Sequence, residues 1–328
     1  MNSKHHIVIG SGPLGQATAE ALARLNKKVL VLDRSGQGAN IAGVRHLKLD
    51  VLQTEAAIAA LPEIESIYQC SQPPYSKWKE LFPTLQEAVV KISQQKKAKL
   101  VVAENLYMFG APKEIITENS VFNPLGKKGE TRAAMHLSLM TLAKQGLLNV
   151  NILRASDFYG PHVKNSMLGD RFFNALMNRK AVNYMGDLNK KHAVTYINDF
   201  GASLALVGTQ SHFNSGEVWN VPSESNYTVK QIFDTAAGIL KTQYTTKKLS
   251  RIEIRALGLF IPDVAELLEL HSFFEVDYLV DDSKFRKAFK VEATRLETGL
   301  ENAAGGILIR LKKFSSGETA QAFGLSIA

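Results

Sequence analysis

Short, nearly continuous apolar runs alternate with longer stretches of helical period through the first half of the chain. "HIVIG", "KVLVLD", "RHLKLD", "SIYQCS", "KLVVAENLYMFG" and "NVNILRAS" are rich in Val, Ile and Leu, and "PLGQATAEALARLN" and "TEAAIAALP" lie between them. Runs of strand length without polar alternation fit strands buried on both faces, and the intervening helices supply the right-handed crossovers that parallel strands require. The pattern predicts an α/β fold, a doubly wound parallel sheet of Rossmann type. The second half is mixed. "HAVTYIND" and "GEVWNVP" read as short strands, "FGASLALVGTQ" and "TVKQIFDTAAGILK" as helices, and a last helix starts near "TRLETGLENAA". We expect a Rossmann domain over 1–160 with segments returning later, a smaller α+β substrate-binding cap mainly over 161–314, and a frayed tail over 315–328.

Composition narrows the class without changing this picture. The chain has 328 residues, 45% hydrophobic and 21% charged, enough to bury a large core. No run approaches the ~18 apolar residues of a membrane span, and the polar start "MNSKHH" has no signal-peptide profile, so a soluble cytoplasmic protein without a membrane partner is expected. A single cysteine, Cys70, excludes an internal disulfide and a cysteine-built metal cluster, and no His/Asp/Glu group elsewhere has ligand spacing. His5 and His6 read as surface residues. The net charge of +8 is spread over runs such as "QQKKAK", "TKKLSR" and "RLKK" rather than gathered on one element, which argues against nucleic acid as partner.

The first candidate chemistry is a phosphate loop. In "IVIGSGPLGQATAEAL", Gly10, Gly12 and Gly15 form G-x-G-x-x-G after a strand and at the start of a helix, with Pro13 and Leu14 completing the turn. Gly10 permits the tight turn, Gly12 lets a pyrophosphate approach the backbone, and Gly15 lets helix and strand pack closely, while the helix N-terminus offers free N–H groups to the anion. The next strand ends at Asp33, near the ~20-residue offset of the acid that hydrogen-bonds an adenosine ribose. That favours NAD; Arg34 and Ser35 follow directly and could hold a 2′-phosphate, which keeps NADP open. Asp50, closing "HLKLD", either contacts the adenine or caps the following helix.

Several segments in order resemble the extended or atypical short-chain dehydrogenases/reductases, the NAD-dependent epimerase/dehydratase family. Besides the glycine loop, "LVVAENLYMFG" is similar to the family's fifth strand with its terminal aromatic-Gly pair, here Phe109-Gly110. "ILRASDFYGP" resembles its Arg-x-x-x-x-Tyr-Gly-Pro segment, here Arg154, Tyr159, Gly160 and Pro161. "HAVTYINDFGASLALV", with Asp199, and "DDSKFRKAFKVEATRLETGLENAA" resemble the entry to its cap helix and its closing stretch. The resemblance implies a Rossmann fold with NAD, or NADP, and a small-molecule substrate, with a nucleotide-sugar as one candidate. A homodimer is implied by the resemblance alone. It also implies that the loop after the fourth strand, "CSQPPYSKW" with Ser71, Gln72 and Tyr75, lies against the cofactor.

The family's catalytic triad is where this sequence departs. Its members carry Tyr-x-x-x-Lys on a helix and a Ser or Thr at the end of the fifth strand. The four-residue spacing puts tyrosine and lysine on one helix face, where the cation assists proton exchange with the substrate oxygen. Matching "KGETRAA" to that helix puts Lys128 at the tyrosine and Arg132 at the lysine; five residues before Gly110 stands Asn105 at the serine. Arg132 could still hold ribose or phosphate, or simply lie on the helix surface. Asn105 could polarise a carbonyl. Lys128, if desolvated, could act as acid or base, although Lys127 and Gly126 beside it suggest an exposed helix start. Tyr107, two residues beyond Asn105 on what reads as one strand, would share its sheet face and could bring a phenol to the site. Asp157, at the exit of "RASDFYGP" beside Ser156, is available for a sugar hydroxyl or a proton. His192 reads as a solvent-exposed loop residue, Asp199 as a helix cap, and Arg171, Arg179 and Lys180 as a solvated face that could alternatively grip a diphosphate. Two readings stand: an NAD(P)-dependent oxidoreductase or epimerase/dehydratase-like enzyme with Asn105, Lys128 and Arg132 in place of the triad, or a sensor of the same fold that binds the dinucleotide without catalysis.

Overall fold

The apolar runs pair side by side into one seven-stranded sheet. In the computed structural model, which describes residues 4–212, 214–259 and 267–315, the strands of the first half are β1 (His5–Ile9), β2 (Lys28–Asp33), β3 (Val44–Lys48), β4 (Ile64–Gln69), β5 (Lys99–Glu104) and β6 (Val150–Arg154). Two short cap pairs follow: β7 (Asp157–Tyr159) runs parallel to β9 (Val194–Tyr196), and β8 (Val182–Tyr184) parallel to β11 (Thr246–Lys248). Between them β10 (Glu217–Asn220) returns to the main sheet beside β6. The sheet order is β10-β6-β5-β4-β1-β2-β3, every pair parallel, with the strand sequence reversing direction between β1 and β4. In such sheets ligands bind beyond the carboxyl ends of the strands at that reversal.

Alternate residues of each strand explain why two helical layers are needed. Ile7, Ile9, Leu30 and Leu32 bury themselves with Ala57, Val89 and Ile92, from helices α2 (Thr54–Ala60) and α3 (Trp78–Lys96). Val8, Val29 and Val31 point the other way, onto Ala17, Leu22, Phe200 and Leu204, from helices α1 (Pro13–Arg24) and α6 (Ile197–Thr209). A β-carbon at Gly201 would lie 2.5 Å from the carbonyl carbon of Ala17, so α6 packs on α1 at backbone contact. Each fully buried Leu, Ile or Val stabilises by roughly 1.5–3 kcal/mol relative to exposure. Helix α4 (Lys127–Lys144) lies beside α3; α5 (Asp170–Met177) and α7 (Val229–Ile239) join the cap core with Phe172, Phe173 and Phe233, and the helix Leu296–Ser315 packs there through Leu296, Leu300 and Ala303. Among the described residues no helix is long and apolar enough to cross a membrane.

Three local expectations are corrected. The strand predicted through "KLVVAENLYMFG" stops at Glu104: the Asn105 side-chain oxygen accepts from the Tyr107 N–H at 3.3 Å, and Phe109 N–H donates to the Leu106 carbonyl, so Tyr107–Phe109 is a 3-10 turn. Local side-chain capture of the backbone competes with the ladder here, so Tyr107 does not follow Asn105 along a strand. Asp199 is not the helix cap. It lies in the first turn of α6, and its carboxylate accepts the Thr294 N–H and hydroxyl, both at 2.7 Å, tying α6 to the chain just before Leu296. His6 is buried rather than at the surface, with Nδ1 3.0 Å from the Tyr68 hydroxyl, and burial lowers its pKa to about 4. Apart from Ser315, the tail expected over 315–328 lies outside the described residues.

Candidate functional site

The glycine turn joins β1 to α1 with its three glycines under different constraints. Gly10 has φ +104°, and a β-carbon there would sit 2.8 Å from Ser71 Cβ; at Gly15 it would be 1.9 Å from the Gly10 carbonyl oxygen. At Gly12 it would meet nothing within 4 Å. Two glycines are therefore demanded by the fold, and the third faces open space. Pro13 opens α1 with its fixed φ, and the N–H groups of Leu14 and Gly15 stand at the positive end of the helix. Asp33 Oδ1 accepts from the N–H groups of Ser35 (2.6 Å) and Gly36 (2.8 Å), whereas Oδ2 is buried without a partner in the protein. Burial pushes this carboxyl up, but hydrogen bonds from Ser35 and Gly36 outweigh it and hold it below the usual range. Ser71 Oγ and Gln69 Oε1 are likewise buried and unpartnered. Arg34 is exposed, and Asp50 Oδ1 accepts the Leu52 N–H at 3.0 Å in the turn before α2.

On α4, Lys128, Arg132 and His136 follow at four-residue intervals on one face, and that face is buried. The exposed helix start expected from the two lysines holds for Lys127 only; Lys128 is 3% exposed. Arg132, 2% exposed, is not a surface arginine. Its guanidinium lies 3.4 Å from Glu104 Oε1, and Glu104 Oε2 takes His136 at 2.9 Å and Arg154 Nε at 3.0 Å. Glu104 and Arg154 are register partners on β5 and β6, which is why one carboxylate meets both strands and the helix. Arg132 also lies over the Phe82 ring and Arg154 over Phe109. Burial pushes the Glu104 carboxyl up, but the hydrogen bond and charge of His136 and the charges of Arg154 and Arg132 hold it at about 2.

One turn earlier, Lys128 faces a different partner. Glu269, in the short helix Leu267–Leu270, receives the Lys128 backbone N–H on Oε1 at 2.6 Å and the Lys128 ammonium on Oε2 at 3.5 Å. The ammonium also sits 4.7 Å from the centre of the Tyr75 ring. Tyr75 donates its hydroxyl to that of Tyr107 at 2.8 Å, and the Tyr107 ring packs on Trp78 and Phe273. Burial, followed by the charge of Asp157, raises the Tyr107 phenol well above its usual pKa, against a smaller opposing effect of Tyr75. Asp157 begins β7, and its Oδ2 lies 2.8 Å from His192 Nε2. His192 is 3% exposed, which corrects the expected surface loop; a stack between Phe274 and Tyr278 holds it inside. Arg171, Arg179 and Lys180 are exposed.

The fold thus gathers Tyr75, Tyr107, Lys128 and Asp157, with Asn105 at the end of β5, and withdraws Arg132 into a separate ionic cluster. His136 could have been found from its spacing after Lys128 and Arg132, and Glu104 as a charge inside an apolar strand. Glu269 and His192 leave no such mark, because their partners are 141 and 35 residues away.

The sequence matches the family described as NAD dependent epimerase/dehydratase over residues 7–221. The chain belongs to that family. No curated protein matches its sequence. Solved structures share the family's fold with it at low identity. The UDP-glucuronic acid 4-epimerase of Bacillus cereus, in complex with UDP-glucuronic acid and NAD, superposes with a TM-score of 0.76 at 17% identity, covering 93% of this chain and 99% of that one. DesIV, a dTDP-glucose 4,6-dehydratase of Streptomyces venezuelae with NAD and TYD bound, gives 0.76 at 15% identity, with coverages of 95% and 98%. The dTDP-glucose 4,6-dehydratase of Bacillus anthracis, in complex with NAD, gives 0.73 at 16%, with coverages of 96% and 98%.

Proposed function

We propose that this family member is a nicotinamide-dinucleotide-dependent enzyme that oxidises a hydroxyl or reduces a carbonyl of a small substrate, with a nucleotide-linked sugar as the first candidate. The glycine turn and the N–H groups of Leu14 and Gly15 would hold the diphosphate, with Gly12 as the open face and Ser71 alongside. Asp33 would hold the adenosine ribose through Oδ2, the buried oxygen that has no partner in the protein. A carboxylate at that point repels a 2′-phosphate, which supports NAD over NADP, and Arg34 is exposed beside it. When bound, the nicotinamide supplies or takes a hydride.

The observation that carries the enzymatic reading is Lys128. An ammonium at 3% exposure costs free energy that a helix core does not need, yet here it is drawn inward at the position matched to the family's tyrosine and paired with Glu269. There it stabilises negative charge developing on the substrate oxygen. Asn105 can donate its amide N–H to the same oxygen. Tyr107 orients the wall through its bond to Tyr75.

A second reading, dinucleotide binding without catalysis, is favoured by one observation: Arg132, at the family's lysine position, is committed to Glu104 rather than free for a ribose. Single-turnover nicotinamide absorbance with UDP-glucuronic acid, UDP-glucose, dTDP-glucose and small aldehydes and ketones separates the two. Hydride exchange with at least one probe, lost by at least ~100-fold in Lys128→Ala, is the expected result. Tight cofactor binding with no exchange for any probe establishes the binding protein instead.

A further inference from the structure

Asp157 and His192 form a carboxylate–imidazole pair in the cap, the imidazole buried and the carboxylate part-exposed. Asp157 is the third residue after β6, at the carboxyl end of the sheet, and His192 precedes β9, the strand paired with β7. The imidazole is locked. Its ring is nearly parallel to Phe274 (5.0 Å, 15°) and Tyr278 (5.3 Å, 23°), its backbone N–H donates to the Tyr227 carbonyl, and only 3% of it is exposed. The Asp157 side chain is 28% exposed. The pair therefore has one open end, the carboxylate, with the imidazole fixed behind it at 2.8 Å.

The other groups of the site are poorly suited to take a proton from a hydroxyl. The Lys128 ammonium is ion-paired with Glu269, and Tyr107 is a phenol bonded to Tyr75 that burial and nearby negative charge keep protonated. We propose that Asp157, backed by His192, is the general base and acid of this site, with Asp157 catalytic and His192 its positioning residue and proton partner. This rests on the reading of the chain as a dinucleotide-dependent enzyme. In the oxidative direction the substrate O–H bond breaks and its proton passes to Asp157, while the carbinol C–H bond breaks with its hydride going to an oxidised nicotinamide dinucleotide. The pair's charge rises by one and the substrate leaves as a carbonyl; the reductive direction reverses each transfer. Around the carboxylate stand the phenols of Tyr107, Tyr75, Tyr278 and Tyr184, each raised by burial first and also by the charge of Asp157. They remain neutral donors over ordinary pH. The remaining charged groups acting on these phenols are Glu269, Glu275 and Asp187, with Lys128 paired to Glu269.

Asp157→Asn, Asp157→Glu and His192→Gln are compared with the unaltered chain by single-turnover hydride exchange across pH, using the probe that reacts, and by titration of NAD binding. We expect Asp157→Asn to lower kcat at least ~100-fold, to abolish the acidic limb of the kcat–pH profile, and to leave NAD affinity unchanged. His192→Gln should lower kcat by roughly 10-fold and move that limb, and Asp157→Glu should recover part of the rate. A kcat for Asp157→Asn within about 3-fold of the unaltered chain, a change confined to KM, or a retained acidic limb overturns the assignment. Should the asparagine variant not fold, the solvent deuterium isotope effect on the unaltered chain decides: a normal effect on kcat supports the relay, and its absence overturns it. NAD binding without hydride exchange for any probe defeats the enzymatic reading itself, and the relay with it.

Discussion

At Gly12 a β-carbon would touch nothing, whereas at Gly15 it would press on the Gly10 carbonyl oxygen at 1.9 Å. The two positions should therefore separate binding from folding. Gly12→Val is expected to change stability by less than ~0.5 kcal/mol and to weaken NAD binding at least ~10-fold, as read by denaturant melts and by titration of the cofactor. Gly15→Ala should instead destabilise by roughly 1–3 kcal/mol through overpacking. The G-x-G-x-x-G spacing made this part of the site legible in sequence because the constraint is local. Glu104 was legible only as a charge inside an apolar strand: within "LVVAEN" it acquires its meaning from Arg132 and His136 on one helix and Arg154 on another strand. Its carboxyl is held at about 2 against a normal 4.5, so the folded state binds its proton more weakly than the unfolded chain. The stabilisation is present above about pH 4.5 and is lost as pH falls toward 2, amounting to roughly 3 kcal/mol at ~1.4 kcal/mol per pH unit. Glu104→Gln should flatten that acid limb in pH-dependent urea melts; an unchanged slope would assign the acid sensitivity elsewhere.

The elements of the sheet followed from their apolar period, and the helix at "KKGETRAAM" from the family resemblance. The buried face of that helix did not, because Lys128, Arg132 and His136 occupy positions where periodicity looks for apolar residues. The strand predicted past Glu104 failed for a comparable reason: Asn105 captures a backbone N–H that a ladder would need. Glu269 binds α4 at its first turn from 141 residues away, so it couples the helix Leu267–Leu270 to α4. Removing its charge weakens the pairing of a buried ammonium and of the Lys128 backbone N–H, and Glu269→Gln should cost about 1–3 kcal/mol while lowering the hydride-exchange rate. A variant as stable as the unaltered chain would show that the ion pair contributes little to anchoring the cap. Asp199 makes a second such link, through Thr294, which a helix-cap reading of the sequence missed.

For the whole molecule, doubly wound topology and family membership were both readable, since four or five ordered motifs recur along the chain, while the cap was readable only as a mixed α+β region. Its pairings join segments such as Asp157 with His192 and His192 with Tyr278, and no local pattern announces them. A ligand that binds only the folded state raises its stability by about 2.7 kcal/mol at 100 times Kd. NAD should accordingly raise Tm in a concentration-dependent way, and this rise should vanish in Gly12→Val. The central claim is that the altered site still performs redox chemistry with this cofactor. Single-turnover nicotinamide absorbance of the unaltered chain, with nucleotide sugars and small carbonyl compounds as probes, tests it most directly. The account predicts a stoichiometric absorbance change with at least one probe that disappears in Lys128→Ala and in Asp157→Asn; full cofactor binding with no absorbance change for any probe would contradict it.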